Sequence, residues 1–260
     1  MTDVFIPKRV LELVSDHRPV ADGFAKAPII EAIIDLTYGQ DMSVEQTSAI
    51  KDALIPYYAK ITSDPISELK IDVTTSAIAI KKDQFFHQLE GSDSTEIALV
   101  RPNGISVSKL APYRCWNDLF DRFRRDTNAA MSAVGPIRVQ RVATRFINRI
   151  DVPFDGKTAD YEHYLEVQIK LPKSIGAIGP FQLAFNLVVP DQKANVVIQS
   201  AVVEPAVEGV ASFILDIDVA RTVDLPNNWD DTLDIINSFR GIKNFFYQQL
   251  LTAKALEDFA

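Results

Sequence analysis

Three arginines recur at every fourth position in the strand-like stretch RVQRVATRFINRIDVP, residues 138–153. They are Arg141, Arg145 and Arg149. Because side chains along a β-strand alternate between its two faces, these arginines are expected on one side and the apolar residues between them on the other. Guanidinium groups in such a row can bind an anion, a nucleotide phosphate or an acidic protein surface through paired hydrogen bonds.

Carboxylates on other predicted strands offer the arginines a structural role instead. Asp72, Asp216 and Asp218 are available for cross-strand ion pairs, which commonly stabilise sheets. Asp216 and Asp218 share one strand face and could also hold a hard cation with help from a third ligand, or act as a base. The candidate ligand- or partner-binding residues are therefore Arg141, Arg145, Arg149, Asp216 and Asp218, with both roles open.

Apart from the Asp216 and Asp218 pair, no pattern in the chain indicates a catalytic residue, a cofactor or a metal site, and none is predicted. His17, His87 and His163 are isolated in the sequence and are expected at the surface or in turns. Cys115 is the only cysteine and opens an amphipathic helix, without a nucleophile signature around it. Glycine-rich phosphate loops are also missing from the sequence.

The composition bounds the classes of function. The 260 residues carry a formal net charge of −8, with a sequence pI near 5.0, which argues against nucleic-acid binding because phosphate contacts need surplus Lys and Arg. One cysteine excludes a disulfide framework, and no apolar run approaches the ~20 residues of a membrane span. We therefore expect a cytoplasmic protein that binds a partner protein or a small anionic ligand; an oligomer is possible.

Two periods of hydrophobicity alternate along the chain. After an N-terminal arm, residues 1–27, the apolar stretch 28–38 predicts a strand, and Ser43 with Gln46 forms a capping box before a helix. Period-two segments at 68–110 predict a meander, and helices are predicted from Trp116 to about 134, over 158–171 and from about 228 onward. Between the last two helices, three further strand-like segments occur. Arg122, Arg124, Arg125 and Asp126 are expected on the solvated face of the Trp116 helix.

The order of elements predicts an internal duplication. Trp116 and Trp229 each open a helix and are 113 residues apart, and the same offset places strand 31–38 on residues 144–151. We predict an α+β fold made of two β-α-β(n)-α pseudo-repeats, residues 28–136 and 137–260, that share one large antiparallel sheet with helices on one face, like a TBP-like saddle. Trp116, Trp229 and the helix-facing Asn148 are predicted to be structural. In this alignment Ala32 and Leu36 of the first repeat correspond to Arg145 and Arg149 of the second. Because only the second repeat has arginines at these positions, we expect the site there.

Three short motifs resemble those of an uncharacterised, sporadically distributed bacterial protein family of about this length. They are PIIEA at residues 28–32, RFINRI at 145–150 and the YQQLLT segment of the terminal helix at 247–252. The resemblance spans nearly the whole chain and implies an architecture class and a bacterial origin, but no chemistry.

Two functions follow as expectations. The first is a non-catalytic intracellular bacterial binding protein whose open sheet face holds a partner protein or an anionic ligand, in an accessory system such as toxin neutralisation or phage defence. The second is an enzyme or sensor that acts on a phosphorylated or nucleotide ligand in an arginine-lined pocket. Direct ion pairs across a shallow open sheet would count against the second, and a deep pocket lined by unpaired arginines would favour it.

Overall fold

The computed structural model describes residues 27–72, 77–156, 159–169, 172, 174, 179–205 and 207–259, with side chains excepted at 66–85. Within these residues the fold is α+β. The strands are β1 Ile29–Tyr38, β2 Lys60–Asp72, β3 Ala77–Glu90, β4 Glu96–Arg101, β5 Gly104–Leu110, β6 Val139–Pro153, β7 Gln182–Val189, β8 Ala194–Val203 and β9 Val210–Arg221. The α-helices are α1 Val44–Leu54, α2 Trp116–Val134, α3 Trp229–Leu250 and α4 Ala253–Phe259.

All nine strands form one open sheet in the order β2-β3-β4-β5-β1-β6-β9-β8-β7. Every pair of neighbours is antiparallel. The strands β1 and β6 lie side by side, with Ile33 opposite Arg145 and Thr37 opposite Arg141. The strands that follow β1 in sequence lie on one side of this central pair, and those that follow β6 lie on the other.

One face of the sheet carries the helices. On β1, alternate residues Ala32, Ile34 and Leu36 are almost fully buried, because a period of two places them on the covered face. Helix α2 packs on β1 and β5, and helix α3 packs on β6 and β9. The opposite side, which α2 and α3 leave uncovered, is called the open face below.

The two tryptophan helices begin as predicted and contact each other. Helix α2 begins at Trp116, and Asn228 caps α3 by accepting a hydrogen bond from the Asp230 backbone N–H at 3.1 Å. The Trp116 indole donates to Asn237 Oδ1 at 2.8 Å, which ties α2 to α3. Trp229 in turn lies 6.3 Å, centroid to centroid, from the ring of Phe123.

The helix predicted over residues 158–171 is wrong for the described part of that range. Residues 159–169 contain a 3₁₀ turn, Tyr161–His163, and Leu165 forms an isolated β-bridge with Leu251. Thr252 Oγ1 also donates to the His163 carbonyl at 2.5 Å, so contacts with the end of α3 determine this segment. Tertiary pairing has overridden the local helical pattern.

Three polar residues are more buried than the sequence indicates. Arg122 and Asp126, expected on a solvated helix face, are 6% and 0% exposed. Tyr58 donates to Asp126 in a short hydrogen bond, and Arg125 Nε donates to the same carboxylate at 2.8 Å. Burial raises the pKa of Asp126, although these two partners lower it. His87, expected at the surface, is also buried, with its Nδ1 2.8 Å from Ser63 Oγ.

Other predictions concern residues without a described structure or side chain. The N-terminal arm lies almost wholly outside the described residues, with His17 in it. Asp72 is the last residue of β2, and its side chain is likewise outside the description. Whether Asp72 pairs with an arginine therefore stays a prediction.

Candidate functional site

The antiparallel pairing of β6 with β1 and β9 brings the predicted site residues together on the open face. Arg145 lies directly opposite Asp218 of β9, and Ile147 lies opposite Asp216. Side chains opposite each other in an antiparallel pair project from the same face. Arg141, Arg145, Arg149, Asp216 and Asp218 therefore share one surface.

Arg145 and Asp216 form the central ion pair of this surface. The Arg145 Nε lies 3.0 Å from each carboxylate oxygen of Asp216, and its Nη2 lies 2.6 Å from Oδ2. This hydrogen bonding raises the pKa of the guanidinium further above its ordinary value. The Asp216 side chain is 4% exposed and that of Arg145 43%, so the arginine lies over its carboxylate and still reaches solvent.

Arg141 joins the charges of β1 to those of β9. Its Nη2 donates to Asp218 at 2.7 Å and its Nη1 to Asp35 at 3.3 Å. Arg101 makes a short second contact to Asp35 from β4. Burial raises the pKa of Asp218, and the neighbouring Arg141 and Arg145 counteract that rise. The network therefore extends without a break from β4 to β9.

Arg149 lies at the edge of the network. Its Nε donates to Asp151 at 3.2 Å, and its Nη2 donates to Ser212 Oγ at 2.9 Å and to the Glu204 carbonyl at 3.1 Å. Ser212 also hydrogen-bonds to Asp151. The guanidinium is thus held by a carboxylate, a hydroxyl and a carbonyl together.

The charges of this open-face network balance. Its members are Arg101, Arg141, Arg145, Arg149, Asp35, Asp151, Asp216 and Asp218. Each guanidinium lies against at least one carboxylate, so the fields of the arginines are largely cancelled. Asp216 and Asp218 bind arginine side chains, and the described residues contain no group of three His, Cys, Asp or Glu that could hold a metal ion.

Aliphatic side chains surround the network on the same face. Ile33 lies opposite Arg145, and Ile214 lies opposite Arg149. Both are half-buried, as are Ile147, Leu99 and Val197. The open face therefore combines a balanced set of charges with accessible apolar surface.

On the covered face of β6, Asn148 and Phe146 serve the packing of the sheet. Asn148 is 1% exposed and donates from Nδ2 to the Leu215 carbonyl at 2.9 Å. Phe146 contacts the ring of Trp116, and the Lys243 amine of α3 lies 4.3 Å from the Phe146 ring centroid. Burial, with a smaller contribution from Arg240, lowers the pKa of Lys243 to about 7.

Two cavities lie away from the open-face network. A groove of about 840 Å³ at one end of the central strands is bordered by Arg138, Gln140, Asp224 and Trp229, among others. A second, of about 390 Å³, lies at the start of α2 beside Cys115 and Arg122. Arg141, Arg145 and Arg149 border neither cavity, so the predicted arginine row is separate from these two cavities.

Sequence reasoning missed Asp35 and Arg101 as members of the network. Asp35 is one of two acidic residues, with Glu31, in the otherwise apolar strand IIEAIIDLTY, and their spacing on the period of the open face was the available signal. Arg101 ends a predicted strand, but its pairing with β1 depends on strand order. Lys243 gave no signal, since a lysine in an amphipathic helix normally faces solvent.

Comparison with known proteins adds no assignment. No protein-family model matches the chain, and no curated protein matches it. Among the described residues, no helix is long and apolar enough to cross a membrane.

Proposed function

We propose that this chain is a non-catalytic binding protein that holds a partner protein against its open sheet face. The observation that carries the proposal is the charge-balanced network centred on Arg145 and Asp216, with half-buried aliphatic residues around it. The buried cores of protein interfaces are typically more apolar than the rest of the surface, and arginine is enriched in interfaces. A partner can cover paired charges of this kind without stripping water from an isolated ion.

A partner protein fits this surface better than a small anion does. An anion would have to compete with Asp216 for the Nε and Nη2 of Arg145, and with Asp218 for Arg141. Such an anion would also be repelled by the carboxylates of Asp216 and Asp218, which already contact these arginines. The same pairing weighs against an enzyme or sensor that uses these arginines as phosphate clamps, because such clamps must be free to meet the ligand.

The exposed part of Arg145 is proposed as the anchor of the interface. Its guanidinium is held by Asp216, and the Arg145 side chain remains 43% exposed. A side chain that is already fixed loses little conformational freedom when a partner covers it. Ile33 and Ile147 provide the apolar surface next to it.

We propose that the sheet arose as a saddle of two related units, like a TBP-like fold. Three features support this: the central antiparallel pair of β1 and β6, the outward placement of the later strands, and the two helices that begin at Trp116 and Trp229. The second unit has no described counterpart of α1 after its first strand. A bacterial cytoplasmic setting, in toxin neutralisation or phage defence, is part of the proposal and rests on the family resemblance.

Site-specific photo-crosslinking tests the proposed surface. A photo-crosslinking amino acid replaces Ile147 on the open face, and a matched chain carries it at Asp234, an exposed position on α3. In cells that naturally contain this protein, we expect a discrete crosslinked complex from position 147 that position 234 does not give. Equal crosslinking at both positions, or none at 147 while the chain is folded, would contradict the proposal.

A further inference from the structure

The two edge strands of the sheet differ in how well they are protected from pairing with another strand. Edge strands expose unpaired backbone N–H and C=O groups, and proteins usually protect them with charges, proline or bulges. The edge strand β2 has all three: Lys60 and Asp64, Pro65, and a register irregularity between Ile66 and Glu68. These features oppose the addition of a further strand at that edge.

The edge strand β7 has none of these protections. Its sequence, QLAFNLVV, contains no charged residue and no proline, and its pairing with β8 is regular over eight consecutive positions. Among the described residues, no strand pairs with its outer side. About half of its backbone N–H and C=O groups therefore point away from β8.

Apolar side chains on the covered face of β7 lie beyond the helices. Leu183, Phe185 and Leu187 are half-buried. Phe185 pairs with Ile198, which is fully buried, so this row belongs to the covered face. Helix α3 packs on β9 and β6, which are two and three strands inward from the edge, and this leaves part of the row accessible.

We infer that two copies of this chain associate edge to edge through β7, so that their sheets join about a two-fold axis. In an antiparallel pairing centred on Phe185, that residue meets its own copy and Leu183 meets Leu187 of the other copy. On the open face, Ala184 would meet Asn186, and no charged side chains would face each other. The strand is thus complementary to itself, which is the requirement for a two-fold interface.

The charge of the chain favours this edge over the rest of its surface. Each copy carries a formal net charge of −8, so two copies repel each other overall. An uncharged strand avoids that repulsion locally, and salt screens what is left. Association through β7 should therefore persist or strengthen as salt rises, whereas association through ion pairs would weaken.

Sedimentation velocity of the full chain tests the inference. We expect a species of twice the 29.0 kDa chain mass at micromolar and higher concentrations. Asn186→Lys, at an exposed position on β7, should shift the protein to the monomer by placing like charges near the axis. The control Ile61→Lys, at an exposed position on β2, should leave the dimer unchanged.

A mixing experiment separates the proposed pairing from a general effect of the substitution. In the proposed register, residue 186 of one copy lies opposite residue 184 of the other. Mixing the Asn186→Lys chain with the Ala184→Asp chain should therefore restore a species of dimer mass. A wild-type chain that is monomeric up to submillimolar concentration, or a dimer that survives Asn186→Lys, would overturn the inference.

Discussion

The two central strands carry opposite charges on the same open face. On β1 the charged residues of this face are Glu31 and Asp35, whereas on β6 they are Arg141, Arg145 and Arg149, with Asp151 at the end of the strand. The β6 arginines take only part of their pairing from β1, since Asp35 binds Arg141 while Asp216 of β9 binds Arg145. The positive charge of β6 is therefore neutralised by carboxylates on both neighbouring strands, within the sheet itself.

A second comparison separates the two faces of β6. On the open face each arginine has a carboxylate partner, but on the covered face the Lys243 amine lies against the Phe146 ring with no carboxylate described within ion-pair distance. The carboxylates compensate the arginines for the loss of water around their charge. The Lys243 amine has only the weaker attraction of an aromatic ring. Substitutions on the two faces should therefore change stability in opposite directions.

The largest loss of stability is expected from Arg145→Met. The substitution leaves the Asp216 carboxylate almost fully buried without its partner, which should cost about 3 kcal/mol of unfolding free energy. Urea denaturation measures this loss. The control is the double variant Arg145→Met, Asp216→Leu, which should recover most of the stability; a double variant as unstable as the single one would break the comparison.

Lys243→Met should stabilise the protein by a few kcal/mol at neutral pH, because each unit by which the pKa is lowered corresponds to about 1.4 kcal/mol. The pKa of Lys243 is lowered to about 7 from its ordinary 10.5, so between these values the unfolded chain binds the proton that the folded chain releases. Wild-type stability from this group therefore rises with pH across that window. The advantage of the variant should shrink as pH is raised from 7 towards 10.5, and a constant advantage would contradict this account.

A smaller loss is expected from Asp35→Asn. This residue is the shared partner of Arg101 and Arg141, and its removal leaves two guanidinium groups that can still reach water. We expect a loss of about 1–2 kcal/mol in urea denaturation. Asp224→Asn, in the exposed pair with Lys193, is the matched control and should leave the unfolding midpoint almost unchanged.

The smallest effect is expected from Arg149→Ala. Arg149 and Asp151 are 26% and 40% exposed, so water replaces much of their interaction. The loss should be below about 1 kcal/mol and should diminish further in high salt. A loss as large as that of Arg145→Met would show that the edge of the network is as important as its centre.

Strand alternation was enough to predict which residues share the open face, but not how they pair. The period of two placed Arg141, Arg145 and Arg149 together, because alternation is a local property. Their partners depend on strand order and register, so Asp35 and Arg101 could not be found from their own segments. The same limit explains the helix wrongly predicted over 158–171, where Leu165 pairs with Leu251.

The offset of 113 residues illustrates how sensitive a sheet is to register. It aligns Ala32 with Arg145, but Ala32 is fully buried on the covered face and Arg145 lies on the open face. A slip of one residue exchanges the two faces of a strand. The contrast drawn from that alignment is therefore wrong, and the residues of β1 that share the open face are Glu31, Ile33, Asp35 and Thr37.

Calorimetric titration with pyrophosphate at low ionic strength tests most directly whether the arginine row is already occupied. If Asp216 and Asp218 satisfy Arg145 and Arg141 as described, the wild-type chain should show no binding heat beyond that of an Arg145→Gln chain. Saturable binding by the wild type that is lost in Arg145→Gln would contradict the account, because it would make the open face an anion site rather than a protein-binding surface.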